Sequence, residues 1–192
     1  MTRLLTVLAL LVLSAATSHA SELYFPTKPS LTPDGSTIYF AYEGDIWKVP
    51  TSGGTAVRVT AMDGSETSPR VSPDGKWLSF AGRQEGNANV YVMPLNGGPI
   101  KQLTVHDAND EPVSWSWDSQ SVMFNSNRYN SVSTYTVSIN GGTPKRLFEH
   151  YFNLTHDAVQ HPTTGDIVFT DTWESLRFPS RKRYVGAYNP DL

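Results

Sequence analysis

Apolar and polar residues alternate along most of this chain, and they do so in matched segments. Ile38 and Phe40 fall on one face of a segment from Ser36 to Tyr42, and the pair recurs as Leu78 and Phe80, Val122 and Phe124, and Ile167 and Phe169. A period of two, filled with β-branched and aromatic residues, predicts strands. A further strand follows each of the first three: Asp45 to Val49, Asn89 to Met93 and Thr134 to Val137. The return strands end Arg58-Val59-Thr60, Gln102-Leu103-Thr104 and Arg146-Leu147-Phe148. No stretch sustains a helical period.

Turn chemistry punctuates these segments. Pro33-Asp34-Gly35 and Pro73-Asp74-Gly75 combine a fixed φ, a side chain that bonds its own backbone, and a residue that accepts positive φ. Trp117-Asp118-Ser119 keeps only the aspartate. Asn96-Gly97 and Asn140-Gly141 predict two-residue hairpin turns, with Ser52-Gly53 in the matching place. The four phenylalanines that close the first segments are 40, 44 and 45 residues apart, while Trp47, Tyr91 and Tyr135 keep a spacing of 44. A repeat of about 40–45 residues with four short strands is the signature of a β-propeller blade. The predicted fold is all-β, a propeller of four-stranded antiparallel blades with about three and a half blades present.

The fourth unit departs from the pattern. After Phe169 a basic and aromatic segment runs from Trp173 to Tyr188, and only then does Asp191-Leu192 match Asp45-Ile46. An incomplete blade leaves edges unpaired, and three and a half blades do not close an ordinary ring. The expectation is an N-terminal piece of a longer protein.

Composition narrows the functional classes. Charged residues are 17% and hydrophobic residues 39% of the chain, which suits a packed core, and the net charge of −3 disfavours wholesale nucleic-acid binding. There is no cysteine, so neither disulfides nor thiol chemistry contributes. Arg3, an uncharged apolar run from Leu4 to Ala16, and small residues at Ser18 and Ala20 together read as a secretory signal peptide over residues 1–20. The run is shorter than the roughly 20 residues of a membrane span. The expectation is therefore export to a periplasmic or extracellular space, with no membrane span after cleavage.

No cofactor, metal or catalytic site is expected. The Gly-x-Ser-x-Gly turn of an activated serine is absent, and Gly64-Ser65 reads as a loop between blades. His150, His156 and His161 lack the helical spacing of paired ligands. Asp107, Asp110 and Glu111 lack the glycine and terminal glutamate of a calcium loop and read as a solvated turn. Asn153-Leu154-Thr155 matches a glycosylation acceptor triplet. Arg177, Arg181, Lys182 and Arg183, set among Phe178, Tyr184 and Tyr188, are the candidate peptide or partner contacts. Four cations there can meet a carboxylate through charge-assisted bonds; the plainer reading is a solvated loop packed by its aromatics.

Ser72-Pro73-Asp74-Gly75-Lys76-Trp77-Leu78-Ser79-Phe80, followed by Asn89-Val90-Tyr91-Val92-Met93-Pro94, resembles the propeller repeats of TolB, of tricorn-type serine peptidases, and of the dipeptidyl-peptidase and acylaminoacyl-peptidase group. The resemblance covers residues 23–192. Tyr42-Glu43-Gly44-Asp45-Ile46-Trp47 and Arg181-Lys182-Arg183-Tyr184-Val185-Gly186 are most similar to the tricorn-type first propeller. That resemblance implies a six-bladed propeller, then a second propeller, a PDZ-like domain and a catalytic domain using serine and histidine. Its substrates would be peptides. None of these later domains falls within the sequence, so no catalytic residue carries over. Expected partners are peptides or proteins and the C-terminal domains of the same protein, with a homo-oligomer left open. Two other readings share the repeat: a TolB-like scaffold that docks envelope proteins, and the propeller of a dipeptidyl-peptidase-type hydrolase.

Overall fold

A computed structural model of the chain describes residues 25–149 and 154–171. Every helix or strand among the described residues is a strand. The first sheet holds β1 (Thr27–Leu31), β2 (Thr37–Tyr42), β3 (Asp45–Pro50) and β4 (Val57–Arg58). The second holds β5 (Glu66–Val71), β6 (Trp77–Gly82), β7 (Asn89–Pro94) and β8 (Lys101–Gln102). The third holds β9 (Asp110–Trp115), β10 (Ser121–Ser126), β11 (Ser133–Ser138) and β12 (Lys145–Arg146). A fourth sheet pairs β13 (Thr155–Gln160) with β14 (Ile167–Asp171). All neighbours within a sheet are antiparallel and consecutive in the chain. This is the predicted propeller architecture. The leader over residues 1–20, His150, Asn153 and the basic cluster Arg177, Arg181, Lys182 and Arg183 lie outside the described residues.

The Ser/Thr-x-Asp turn explains why the repeat begins as it does. Ser72 Oγ donates to Asp74 Oδ1 at 2.6 Å, the same carboxylate accepts from Lys76 N, and Ser72 Oγ accepts from Trp77 N. Thr32 with Asp34 and Ser116 with Asp118 build the same arrangement. These bonds hold all three carboxyls below the ordinary aspartate value, the Thr32 hydroxyl acting most strongly on Asp34 and the Ser116 hydroxyl on Asp118. At Asp74, burial opposes the shift, and the Ser72 hydroxyl and Lys76 outweigh it. Gly35 and Gly75 follow with φ of 71° and 68°, and Ser119 takes the same left-handed place at 61°. In the fourth unit His161 Nδ1 replaces the hydroxyl, accepting from Thr163 N and Thr164 N.

One expectation changes. The glycine pairs do not form two-residue hairpins. The chain turns tightly at Pro50 to Gly53, Pro94 to Gly97 and Ser138 to Gly141, and six residues separate β3 from β4. The outer strands are only two residues long and pair with the middle of their neighbours, so the chain must double back past the strand end. The second strands of the three complete sheets bury residues on both faces. Leu78, Ser79, Phe80 and Ala81 are all fully buried because the second sheet sits between two others.

The core consists of these junctions between sheets. Tyr39, Ala41 and Ile46 of the first sheet meet Leu78, Phe80, Tyr91 and Met93 of the second. Val90, Val92 and Leu103 of the second meet Trp115, Val122, Phe124, Tyr135 and Val137 of the third. Phe80 stacks on Tyr91 and Phe124 on Tyr135, with ring centroids 5.8 and 5.7 Å apart. These pairs are the repeat's two strongest aromatic positions, and burying each ring is worth about 1.5–3 kcal/mol.

Candidate functional site at the inner strands

Successive sheets pack on one another through their first strands: β1 on β5, β5 on β9 and β9 on β13. These are the inner strands of the blades, and hydrogen bonds tie them into a series. Val71 N donates to Ser30 Oγ at 3.0 Å, Arg70 Nε to the Val113 carbonyl at 2.7 Å, and Ser114 Oγ to the Ala158 carbonyl at 2.5 Å. Trp115 Nε1 returns a bond to the Arg70 carbonyl at 2.9 Å.

Each inner strand carries an irregularity in its register. In three of them a residue sits in the left-handed region: Lys28, Ser68 and Asp157, with φ of 53°, 53° and 55°. A bulge of this kind re-aims a side chain that would otherwise follow the pleat. The matching residue of β9 is Pro112, whose ring forbids positive φ. There the preceding residue, Glu111, supplies the polar group.

These groups converge. Glu111 forms an ion pair with Lys28 Nζ at 3.1 Å and accepts a short bond from Ser68 Oγ. Burial works to raise its carboxyl, but the Ser68 hydroxyl, Lys28 and Arg70 together hold it below the ordinary glutamate value. Burial lowers the Arg70 guanidinium, while Glu111 and Asp157 pull it back up. Asp157 contacts His156 Nδ1 at 2.8 Å and accepts from Asn125 Nδ2 at 3.1 Å; His156 is the main cause of its lowered carboxyl value. Four successive inner strands thus present one mixed-charge patch that can hydrogen-bond both ends of a polar chain.

The sequence reading of the acidic triplet as a solvated turn is overturned. Asp107 is exposed, but Asp110 is fully buried and opens β9, paired with Arg128, whose guanidinium lies 5.4 Å above Phe124 and 5.0 Å above Tyr135. Glu111 belongs to the inner patch. Aligning the repeats would have exposed this, because a shift of 44 residues superposes Asp110 on Glu66 and Arg128 on Gln84. In the second sheet Gln84 Nε2 indeed donates to Glu66 Oε1 at 2.9 Å, and Glu66 is 1% exposed with Oε2 unpartnered. Burial, with Asp45 close by, raises its carboxyl above the ordinary value.

His156 and His161 stand at opposite ends of β13 and are not brought together. Among the described residues no three of His, Asp or Glu are grouped to hold a metal ion. Gly64-Ser65 lies between β4 and β5, as expected of a loop between sheets.

Sheet order, inner-strand contacts and the repeated turn define the class: a β-propeller, of which three complete blades and half of a fourth are described. The chain belongs to the family of the tricorn protease N-terminal β-propeller domain, which matches residues 25–192. It is 40% identical over 60 residues to tricorn protease homolog 1 of Streptomyces coelicolor, a match covering 31% of this chain and 6% of that protein. Among solved structures it resembles TolB from Acinetobacter baumannii, with a TM-score of 0.58 and 26% identity over 75% of this chain and 43% of that one. It also resembles the tricorn protease, with a TM-score of 0.50 and 13% identity over 62% of this chain and 14% of that one. The last likeness is one of fold. The chain therefore spans only a small part of the tricorn-type proteins it matches.

Proposed function

We propose that this propeller serves an exported tricorn-type serine peptidase by guiding or filtering peptides, with the catalytic groups supplied by other domains. The observation that carries the reading is the polar patch shared by Lys28, Ser68, Arg70, Glu111 and Asp157 on four inner strands. Its charges of both signs suit a peptide backbone and its termini, which can exchange for the half-exposed Lys28–Glu111 pair. The family membership supports the peptidase context, and the leader-like residues 1–20 support export. Arg177, Arg181, Lys182 and Arg183 would add anion capture. By charge alone they act over about 8 Å at physiological ionic strength.

The test uses the full-length protein and one peptide in free-acid and amidated forms. Replacing Arg181, Lys182 and Arg183 by alanine should lower kcat/KM for the free acid at low salt more than for the amide. Arg70→Met should lower it for long peptides while leaving cleavage of a short ester unchanged. Equal losses for every substrate at every salt concentration would refute a guiding role.

A further inference from the structure

The repeat makes the two junctions between complete sheets comparable position by position, and they differ at one place. At the second junction Trp77 packs against the core with Ile139, and Lys101 Nζ reaches across to the Ile139 carbonyl at 3.1 Å. The matching residues at the first junction are Thr37 and Val57, both too small or too short to do the same. A cavity of about 610 Å³ remains there, lined by Thr37, Tyr39, Lys48, Pro50, Val57 and Leu95 among others. That volume falls within the range of small-ligand sites.

Its chemistry is specific. Tyr39 and Lys48 are directly opposed on β2 and β3, so their side chains leave the same face as neighbours. Tyr39 is 3% exposed, and neither its hydroxyl nor the half-buried Lys48 ammonium has a partner among the described residues. The matching pair in the second sheet, Ser79 and Val92, offers no such donors. Burial raises the Tyr39 phenol, which keeps it a proton donor. Pro50, Val57 and Leu95 give an apolar wall. Asp34 and Asp74 line the turn end, both with lowered carboxyl values, so they repel a second negative charge.

We infer that this cavity is a second peptide-binding site, distinct from the inner-strand patch, which takes a single carboxylate flanked by an apolar residue. The carboxylate accepts from Lys48 Nζ and the Tyr39 hydroxyl, and the apolar neighbour lies on Val57 and Leu95. The carboxylate has two sources, a chain terminus or an acidic side chain. The inference does not depend on the peptidase reading, because its readout is binding and not turnover.

The experiment is fluorescence anisotropy on the full-length protein at low salt. Three labelled probes are used: Ala-Ala-Leu-Val with a free carboxylate, its amide, and an amide with Glu replacing the last residue. Binding of the free acid but not the plain amide supports a terminus, binding of the Glu amide supports a side chain, and binding of both supports either source. Lys48→Met should weaken binding about tenfold and Tyr39→Phe about threefold, the scale of a charged and a neutral hydrogen bond. Thr37→Trp, which restores the plug of the second junction, should abolish binding without changing the thermal melt. Equal binding of all three probes, competition by inorganic phosphate at equal strength, or an unaltered Kd in both Lys48→Met and Thr37→Trp would overturn the assignment.

Discussion

The first and second junctions between sheets are built from one repeat and solve the same packing problem in different ways. At the second, a buried acid meets a cation: Asp110 pairs with Arg128, which itself covers Phe124 and Tyr135. At the first, the equivalent acid Glu66 meets the neutral Gln84; each acid keeps its other carboxyl oxygen unpartnered, so the difference lies in the charge of the partner. The second junction is plugged by Trp77 and tied by Lys101; the first holds a cavity. The positions that hold the strands together are repeated, and those that do not are where the two junctions acquire separate chemistry.

Arg128→Met should have the largest effect on stability. It strands the Asp110 carboxylate in a fully buried place, which costs about 3–5 kcal/mol, visible in denaturant unfolding. Gln84→Met at the first junction removes one hydrogen bond from a carboxyl that burial already favours protonated, a loss of about 1–3 kcal/mol. Equal losses from the two substitutions would mean that the charge of Arg128 makes no difference to its buried acid.

Trp77→Thr should come next. It opens at the second junction the space that Thr37 leaves at the first, and a half-buried tryptophan makes the cost about 2–3 kcal/mol. The same variant should gain a cavity visible by xenon binding or crystallography.

Strand positions and the turn were legible because they rest on local chemistry: Ser72, Asp74 and Trp77 bond one another within six residues. The inner patch was not. Its side chains are aimed by backbone bulges at Lys28, Ser68 and Asp157, and ordinary residues there give no sign of positive φ. Asp110 and Glu111 misled for a related reason, since consecutive acids after an exposed Asp107 resemble a solvated turn until the repeats are superposed. The cavity is written in the sequence as Thr37 and Val57 where Trp77 and Lys101 stand one unit later, but only the packing gives that difference a meaning. The basic cluster from Arg177 to Arg183 stands out by composition alone and lies outside the described residues.

Glu66→Gln sharpens the comparison through pH. The folded carboxyl lies above its ordinary value of 4.5, so its contribution is full below that value and is lost as pH rises through the folded one. Between mildly acid and alkaline pH the wild type should lose thermal stability that the glutamine variant keeps. Asp110→Asn should destabilise at neutral pH, because Arg128 then loses its charge partner. Identical pH profiles for the wild type and the glutamine variant would refute a raised Glu66 carboxyl.

Lys28→Met should show the smallest change in stability. Its ammonium lies 3.1 Å from Glu111, but the two side chains are 50% and 44% exposed, so solvent screens the pair to less than about 1 kcal/mol. The acid limb is where the substitution registers. Glu111 and Asp157 both have lowered carboxyl values, so their stabilisation is present above the ordinary range and lost as pH falls through the folded values. Lys28 contributes to lowering both. Its removal should therefore shrink the loss of stability on acidification while leaving the neutral melt nearly unchanged. A large neutral-pH loss would make Lys28 a structural member of the inner strands, and the patch would then be a clasp between blades and not a surface for peptides.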